Sequence, residues 1–230
     1  VGATFGRGFY VFDDYSPLRT AGDQVLQKDL HLFPVKNALL YVPKTPLGGG
    51  EKASQGAAYF TAPNPPFGAI FTYYLAEGLE TEKEERRSRE KELREADEDV
   101  PFPGWERLEQ ERLEEKPLLL FTVSDSEGNV VRRVTGSASK GFHRIAWDLR
   151  YPSFEPVELD DEGGSSSFFQ PTMGPLVLPG RYAVSVSRIV DGEEVATGES
   201  GEFEVEALGG SSLRPPGPRQ ILGGIMLRQT

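Results

Sequence analysis

Acidic side chains outnumber basic ones in this chain, 36 Asp and Glu against 25 Lys and Arg, and two groups of them are spaced for acid–base chemistry: Asp13-Asp14 and Asp160-Asp161-Glu162. Glycoside hydrolysis needs two carboxylates either about 5–5.5 Å or about 6.5–9.5 Å apart across the scissile bond. The plainer expectation is that Asp13 and Asp14 cap the turn leaving a strand and that residues 160–162 form a solvated loop. Asp125-Ser-Glu-Gly-Asn129 is oxygen-rich enough to suggest calcium. Its Glu127 and early Gly128 break the EF-hand spacing, so it reads as a hairpin turn. Gly6-Arg-Gly8 is followed by neither a helix nor a lysine and is no phosphate loop. With 2 histidines and 0 cysteines the chain cannot build a multi-histidine or thiolate metal site, a cysteine nucleophile or a disulfide framework. His143 lies beside strand residues and reads as a structural histidine, and Trp147 as core. No catalytic residue, cofactor or metal is expected, and the chain reads as a non-enzyme.

The formal charge of −11 argues against nucleic acid, which is held by Lys and Arg on phosphates, and disfavours direct contact with anionic lipid. No run of 18 apolar residues is present to span a bilayer. Val1-Gly-Ala-Thr-Phe5 lacks a basic region followed by an apolar one, so the expectation is a removed signal or an internal piece of a longer product. Absence of cysteine is compatible with an oxidising compartment. A length of 230 residues suits one or two domains, and 26 glycines and 18 prolines beside 14 Phe and 8 Tyr favour short strands joined by many turns.

Any such site must be held by the elements around it. Residues 9–12 predict a short strand. From residue 20 to 66 prolines interrupt the pattern, predicting an extended stretch with brief strands near 30–33 and 38–42. Residues 68–75 suit a strand. Residues 80–99 then carry 16 charges, with Leu93 the only large apolar side chain. Glu82/Arg86, Glu85/Arg89 and Glu90/Arg94 place acid four residues before base, the favourable helical order. Pro101, Pro103 and Gly104 end this helix, and residues 105–116 predict a shorter one, together an αα-hairpin set between two strands. The β pattern resumes at 118–124 and 130–134, continues at 142–149 with Ile145, Trp147 and Leu149 on one face, and returns with Tyr182, Val184, Val186, Phe203 and Val205. Residues 209–230 hold Arg214, Arg219 and Arg228, no acid, and one apolar patch, Ile221-Leu-Gly-Gly-Ile-Met-Leu227.

Four motifs, in order, carry a family resemblance. Thr4-Phe-Gly-Arg-Gly-Phe-Tyr-Val-Phe-Asp-Asp14 with Ser16-Pro-Leu-Arg19 resembles the end of the last blade in BNR-repeat, sortilin-like β-propeller proteins, often labelled glycosyl-hydrolase-like. Ala62-Pro-Asn-Pro-Pro-Phe-Gly-Ala69, Lys140-Gly-Phe-His-Arg-Ile-Ala-Trp-Asp-Leu-Arg-Tyr-Pro152 and Gly174-Pro-Leu-Val-Leu-Pro-Gly-Arg-Tyr182 resemble parts of the domain that follows the propeller. The resemblance covers residues 1–208 and implies a C-terminal region without its propeller; the Asp-box repeat is absent from the sequence.

The expected fold is mainly β, an immunoglobulin-like antiparallel β-sandwich with an inserted charged helical hairpin and an extended N-terminal arm. Residues 1–20 are read as a propeller-strand remnant, 21–66 as a Pro/Gly-rich arm, 67–208 as the sandwich with its hairpin at 79–116, and 209–230 as a basic flexible tail. The expected function is that of a non-catalytic structural, protein-interaction subunit of a larger extracytoplasmic assembly (periplasmic or secreted), including one at the face of a membrane complex. Other protein subunits are the expected partners. Their candidate contacts are Phe33, Tyr41, Tyr59 and Phe60 on the arm, Arg86, Arg89, Arg94 and Trp105 on the hairpin, and Arg214, Arg219, Ile221, Leu222 and Met226 on the tail. The alternatives are an accessory fragment of a glycosidase-like propeller protein, and carbohydrate binding through Tyr73, Tyr74 and Tyr151.

Overall fold

The computed structural model describes residues 13–41, 64–154 and 173–208, with the backbone of two short antiparallel strands, β1 (Gly2–Ala3) and β2 (Phe9–Tyr10). Two short helices follow, α1 (Ser16–Thr20) and, at the start of the stretch expected to be extended, α2 (Asp23–Leu26). Pro17 stands in the first turn of α1, where a missing N–H costs nothing, and the Asp14 carboxylate accepts the Ser16 N–H at 3.0 Å. A proline that breaks a helix interior starts one here.

The remaining strands are β3 (Leu30–Leu32), β4 (Ala38–Leu40), β5 (Ala69–Leu75), β6 (Leu118–Asp125), β7 (Val130–Gly136), β8 (Gly141–Trp147), β9 (Gly180–Val190) and β10 (Glu193–Ala207). They form a five-stranded sheet of order β4-β10-β9-β6-β7 and a three-stranded sheet of order β3-β5-β8. Their pairings are antiparallel except β4 with β10, which is parallel. The protein is thus mainly β. The two sheets meet across a shared aromatic core: Phe71 of β5 stacks on Phe121 of β6 at 5.9 Å and meets Phe203 of β10 at 5.7 Å, while Trp147 of β8 meets Tyr182 of β9 at 5.5 Å. Alternation explains the segregation, since β5 buries every second residue from Ala69 to Leu75. Gly136 is required beside this core, because a Cβ there would lie 2.8 Å from both the Phe121 ring and the Tyr73 hydroxyl.

Residues 30–40 correct the picture of a separate arm. The brief strands expected there exist, but β3 is an edge of one sheet and β4 an edge of the other. Leu30, Leu32, Phe33, Ala38 and Leu40 are all buried. Pro34, which has no N–H for a ladder, follows the end of β3 and lets the chain cross between sheets. The segment spends most of its apolar residues on its own core, with Leu39 left exposed.

The hairpin stands between β5 and β6, as its charge pattern predicts, with α3 (Glu82–Glu95) and α4 (Trp105–Leu113) each shorter than the charged run. Thr81 starts α3 with a complete capping box: its hydroxyl accepts the Glu84 N–H, and the Glu84 carboxylate accepts the Thr81 N–H. Asp97, at φ 56°, closes it.

Candidate functional site

The hairpin has no apolar core of its own. No residue of α3 is buried, and the buried residue of α4 is a carboxylate, Glu111. Arg86 of α3 meets it through one edge of the guanidinium: Nε donates to Oε1 at 2.7 Å and Nη2 to Oε2 at 2.8 Å. Arg86 Nη1 also donates to Glu90 on its own helix, and Arg107 lies 3.7 Å from Glu111. The Arg86 hydrogen bonds hold the Glu111 carboxyl below the usual carboxylate range against the opposing effect of burial, with the charges of Arg86, Arg107 and Lys83 adding to them. Glu111 and Glu90 in turn raise the Arg86 guanidinium above its ordinary value. At the base of the hairpin the Glu114 carboxylate accepts the Glu82 N–H at 2.9 Å, and the Leu79 N–H is donated to the Ala138 carbonyl at 2.8 Å. Charge, in a bidentate geometry, holds two helices that hydrophobicity does not.

The turn joining the helices carries two exposed aromatic side chains, Phe102 at 63% and Trp105 at 79% accessibility, in edge-to-face contact at 5.2 Å. Large aromatic surface is seldom left in water by a chain that could bury it.

The expected contact residues fall into separate groups. Trp105 and Arg89 are exposed, and Arg89 has no ion-pair partner among the described residues. Arg94 is largely exposed and leans on Glu90 at 3.5 Å. Arg86 is committed to Glu111 and Glu90 instead of the expected Glu82, because the across-hairpin geometry offers a bidentate acceptor. Phe33 corrects its expectation outright: it is 1% exposed, its N–H donated to the Thr72 carbonyl and its ring stacked on Phe142 at 5.9 Å. Tyr41 is partly exposed and edges onto Phe67 at 5.0 Å. Tyr59, Phe60, Arg214, Arg219, Ile221, Leu222 and Met226, and the acids at 160–162, lie outside the described residues. Tyr73 faces the core at 0% exposure and Tyr74 packs on Phe142, so these two do not join Tyr151 in an exposed platform.

The other chemical candidates resolve into local structure. Asp14 pairs with Lys36 at 2.7 Å besides accepting the Ser16 N–H. Asp125 accepts the N–H groups of Glu127 and Asn129, each at 2.9 Å, which makes its loop a self-satisfied turn. A feature that sequence reasoning missed is the approach of Ser139 to His143, Oγ to Nε2 at 3.4 Å. The same Nε2 lies 2.6 Å from the Ser139 carbonyl, an acceptor that requires it to carry the proton. A nitrogen donating to that carbonyl cannot accept the hydroxyl proton, so the pair is not set up as nucleophile and base. Among the described residues no group of three His, Asp or Glu is placed to hold a metal ion, and no helix is long and apolar enough to cross a membrane.

Comparison of the chain with protein-family models, curated proteins and solved structures gave no match in any of the three.

Proposed function

We propose that this chain is a non-catalytic structural subunit of a larger extracytoplasmic protein assembly, built on an immunoglobulin-like sandwich and attached through its helical hairpin. The sandwich reading is supported by β4 running parallel to β10, the last strand among the described residues, and by Tyr182 near the start of β9, whose hydroxyl donates to the Leu178 carbonyl at 2.7 Å. A tyrosine at that place, bonded to backbone a few residues upstream, is a recurrent feature of such sandwiches. The motif resemblance to the C-terminal region of BNR-repeat, sortilin-like proteins supports the extracytoplasmic setting.

The observation that carries the interaction reading is the hairpin: its helices bury no apolar side chain, yet ion pairs hold them together and present Trp105 to solvent. Such an element adds little to the core of its own domain and much to a surface it can dock on. Size exclusion with light scattering of the gently extracted chain, with mass spectrometry of co-eluting proteins, tests the proposal. Elution in a large complex, lost when residues 79–116 are deleted, is the expected result. Elution at the mass of a single chain, or partner recovery unchanged by the deletion, overturns it.

A further inference from the structure

The turn between α3 and α4 combines an apolar surface with an uncompensated charge. From Glu95 to Glu106 the chain carries Glu95, Asp97, Glu98, Asp99 and Glu106 and no base. Among the described residues Asp97, Glu98, Asp99 and Glu106 have no ion-pair partner; Lys91 reaches Glu95 at 3.8 Å, and Arg94 is turned back to Glu90. In the middle of these acids stand the exposed rings of Phe102 and Trp105. Pro101 and Pro103 flank Phe102 and restrict the backbone, so little conformational freedom remains to be lost when the turn is covered. The occupant that fits is apolar and basic.

Of the segments outside the described residues, the most basic that also carries an apolar run is the one after Leu208. Residues 209–230 have Arg214, Arg219 and Arg228, no acid, and the apolar run from Ile221 to Leu227 between the last two arginines. The segment begins next to Leu208, at the end of the fifteen-residue strand β10, and at about 3.3 Å per extended residue its apolar run can reach roughly 40–60 Å from there. A second copy of the turn is excluded as an occupant, because it would set acid against acid.

We propose that the acidic aromatic turn is the docking site of the chain's own C-terminal segment, residues 209–230, with the apolar run covering Phe102 and Trp105 and the arginines meeting the carboxylates. The proposal rests on the interaction reading of the hairpin and adds to it the identity of a ligand for the turn.

The chain's 2 tryptophans make the test direct, because Trp147 is 1% exposed and a soluble quencher reaches Trp105 alone. In the full chain Trp105 emission is expected to be blue-shifted and protected from acrylamide. Truncation after Leu208, or Arg214→Gln/Arg219→Gln/Arg228→Gln in the full chain, shifts the emission red and removes the protection. A synthetic peptide of residues 209–230 added to the truncated chain restores both, less well in 1 M salt, where screening falls to about 3 Å. Protection independent of protein concentration assigns the segment of the same chain, and protection that rises with concentration that of a second copy. Equal quenching of the full, truncated and Arg→Gln chains, or restoration by the peptide of a chain carrying Asp97→Asn/Glu98→Gln/Asp99→Asn to the same extent, overturns the proposal. Such a failure in a chain that still elutes in a large complex leaves the subunit reading standing; tail-dependent protection in a chain that elutes alone does the reverse.

Discussion

Arg86 on α3 holds Glu111 on α4 in a bidentate pair, at 2.7 and 2.8 Å, and the carboxylate it holds is the one buried side chain of either helix, 2% exposed. A buried carboxylate deprived of its cation is left uncompensated, which is the costly way to break such a pair. Arg86→Met is therefore expected to loosen the hairpin: helical ellipticity falls, and amide exchange quickens through residues 82–113 while β5, β6 and β9 stay protected. Arg86→Met with Glu111→Leu recovers part of the loss, since apolar replacement of both partners leaves no orphaned charge. Exchange unchanged in the single variant would show that something other than this pair holds the helices.

Tyr182→Phe tests the corner between Leu178 and β9. It removes one donor and leaves a carbonyl to find water, at a cost of about 1–3 kcal/mol in urea unfolding. A change within error would mean that the Leu178 carbonyl is already solvated.

Burial pushes the phenols of Tyr73 and Tyr182 up to about 12, with the charges of Tyr151 and Asp125 adding to the shift for Tyr182. Because the folded value lies above the unfolded one near 10, both phenols favour the folded state while protonated, and that contribution is lost as pH rises from about 10 to about 12. Ultraviolet titration is expected to show two of the 8 tyrosines ionising late, together with alkaline loss of near-ultraviolet dichroism. Ionisation of every tyrosine in one step near 10 would contradict this.

Glu199, in the irregular part of β10, ties the two sheets together by accepting the Leu32 N–H at 2.9 Å and pairing with Lys28 and His31, each at 3.3 Å. Burial raises its carboxyl, but the Leu32 N–H, Lys28 and His31 outweigh that and bring it below the ordinary 4.5. A depressed folded value stabilises the protein above pH 4.5 and is lost as pH falls through it. Glu199→Gln should cost about 1–2 kcal/mol at neutral pH, with the gap to the parent narrowing below pH 4.5. A gap constant with pH would mean that the charge contributes nothing.

Phe121→Ala should lower stability by about 3–5 kcal/mol, because its ring is fully buried between Phe71 and Tyr73. Gly136→Ala should cost about 1–3 kcal/mol by crowding the same rings. Thermal melts of both variants check the pair, and a neutral Gly136→Ala would show that the rings can move aside.

Local chemistry by itself determined much of this protein. Period-two burial marks β5 and most of β9, the Asp-x-x-Gly turn marks the β6–β7 hairpin, and acid placed four residues before base, with Leu93 the only large apolar side chain, marks α3, because each signal acts over a few neighbouring residues. Only the tertiary structure decided where Phe33 goes, since an apolar residue beside a proline serves a partner or a core equally well until the sheets meet. It also decided which carboxylate Arg86 takes: sequence offers Glu82 one turn away, whereas packing brings Glu111 across the hairpin in bidentate reach. The parallel pairing of β4 with β10 and the span from Glu199 to Leu32 join residues more than 160 positions apart. Contacts at that separation depend on how the sheets close, which no local pattern encodes.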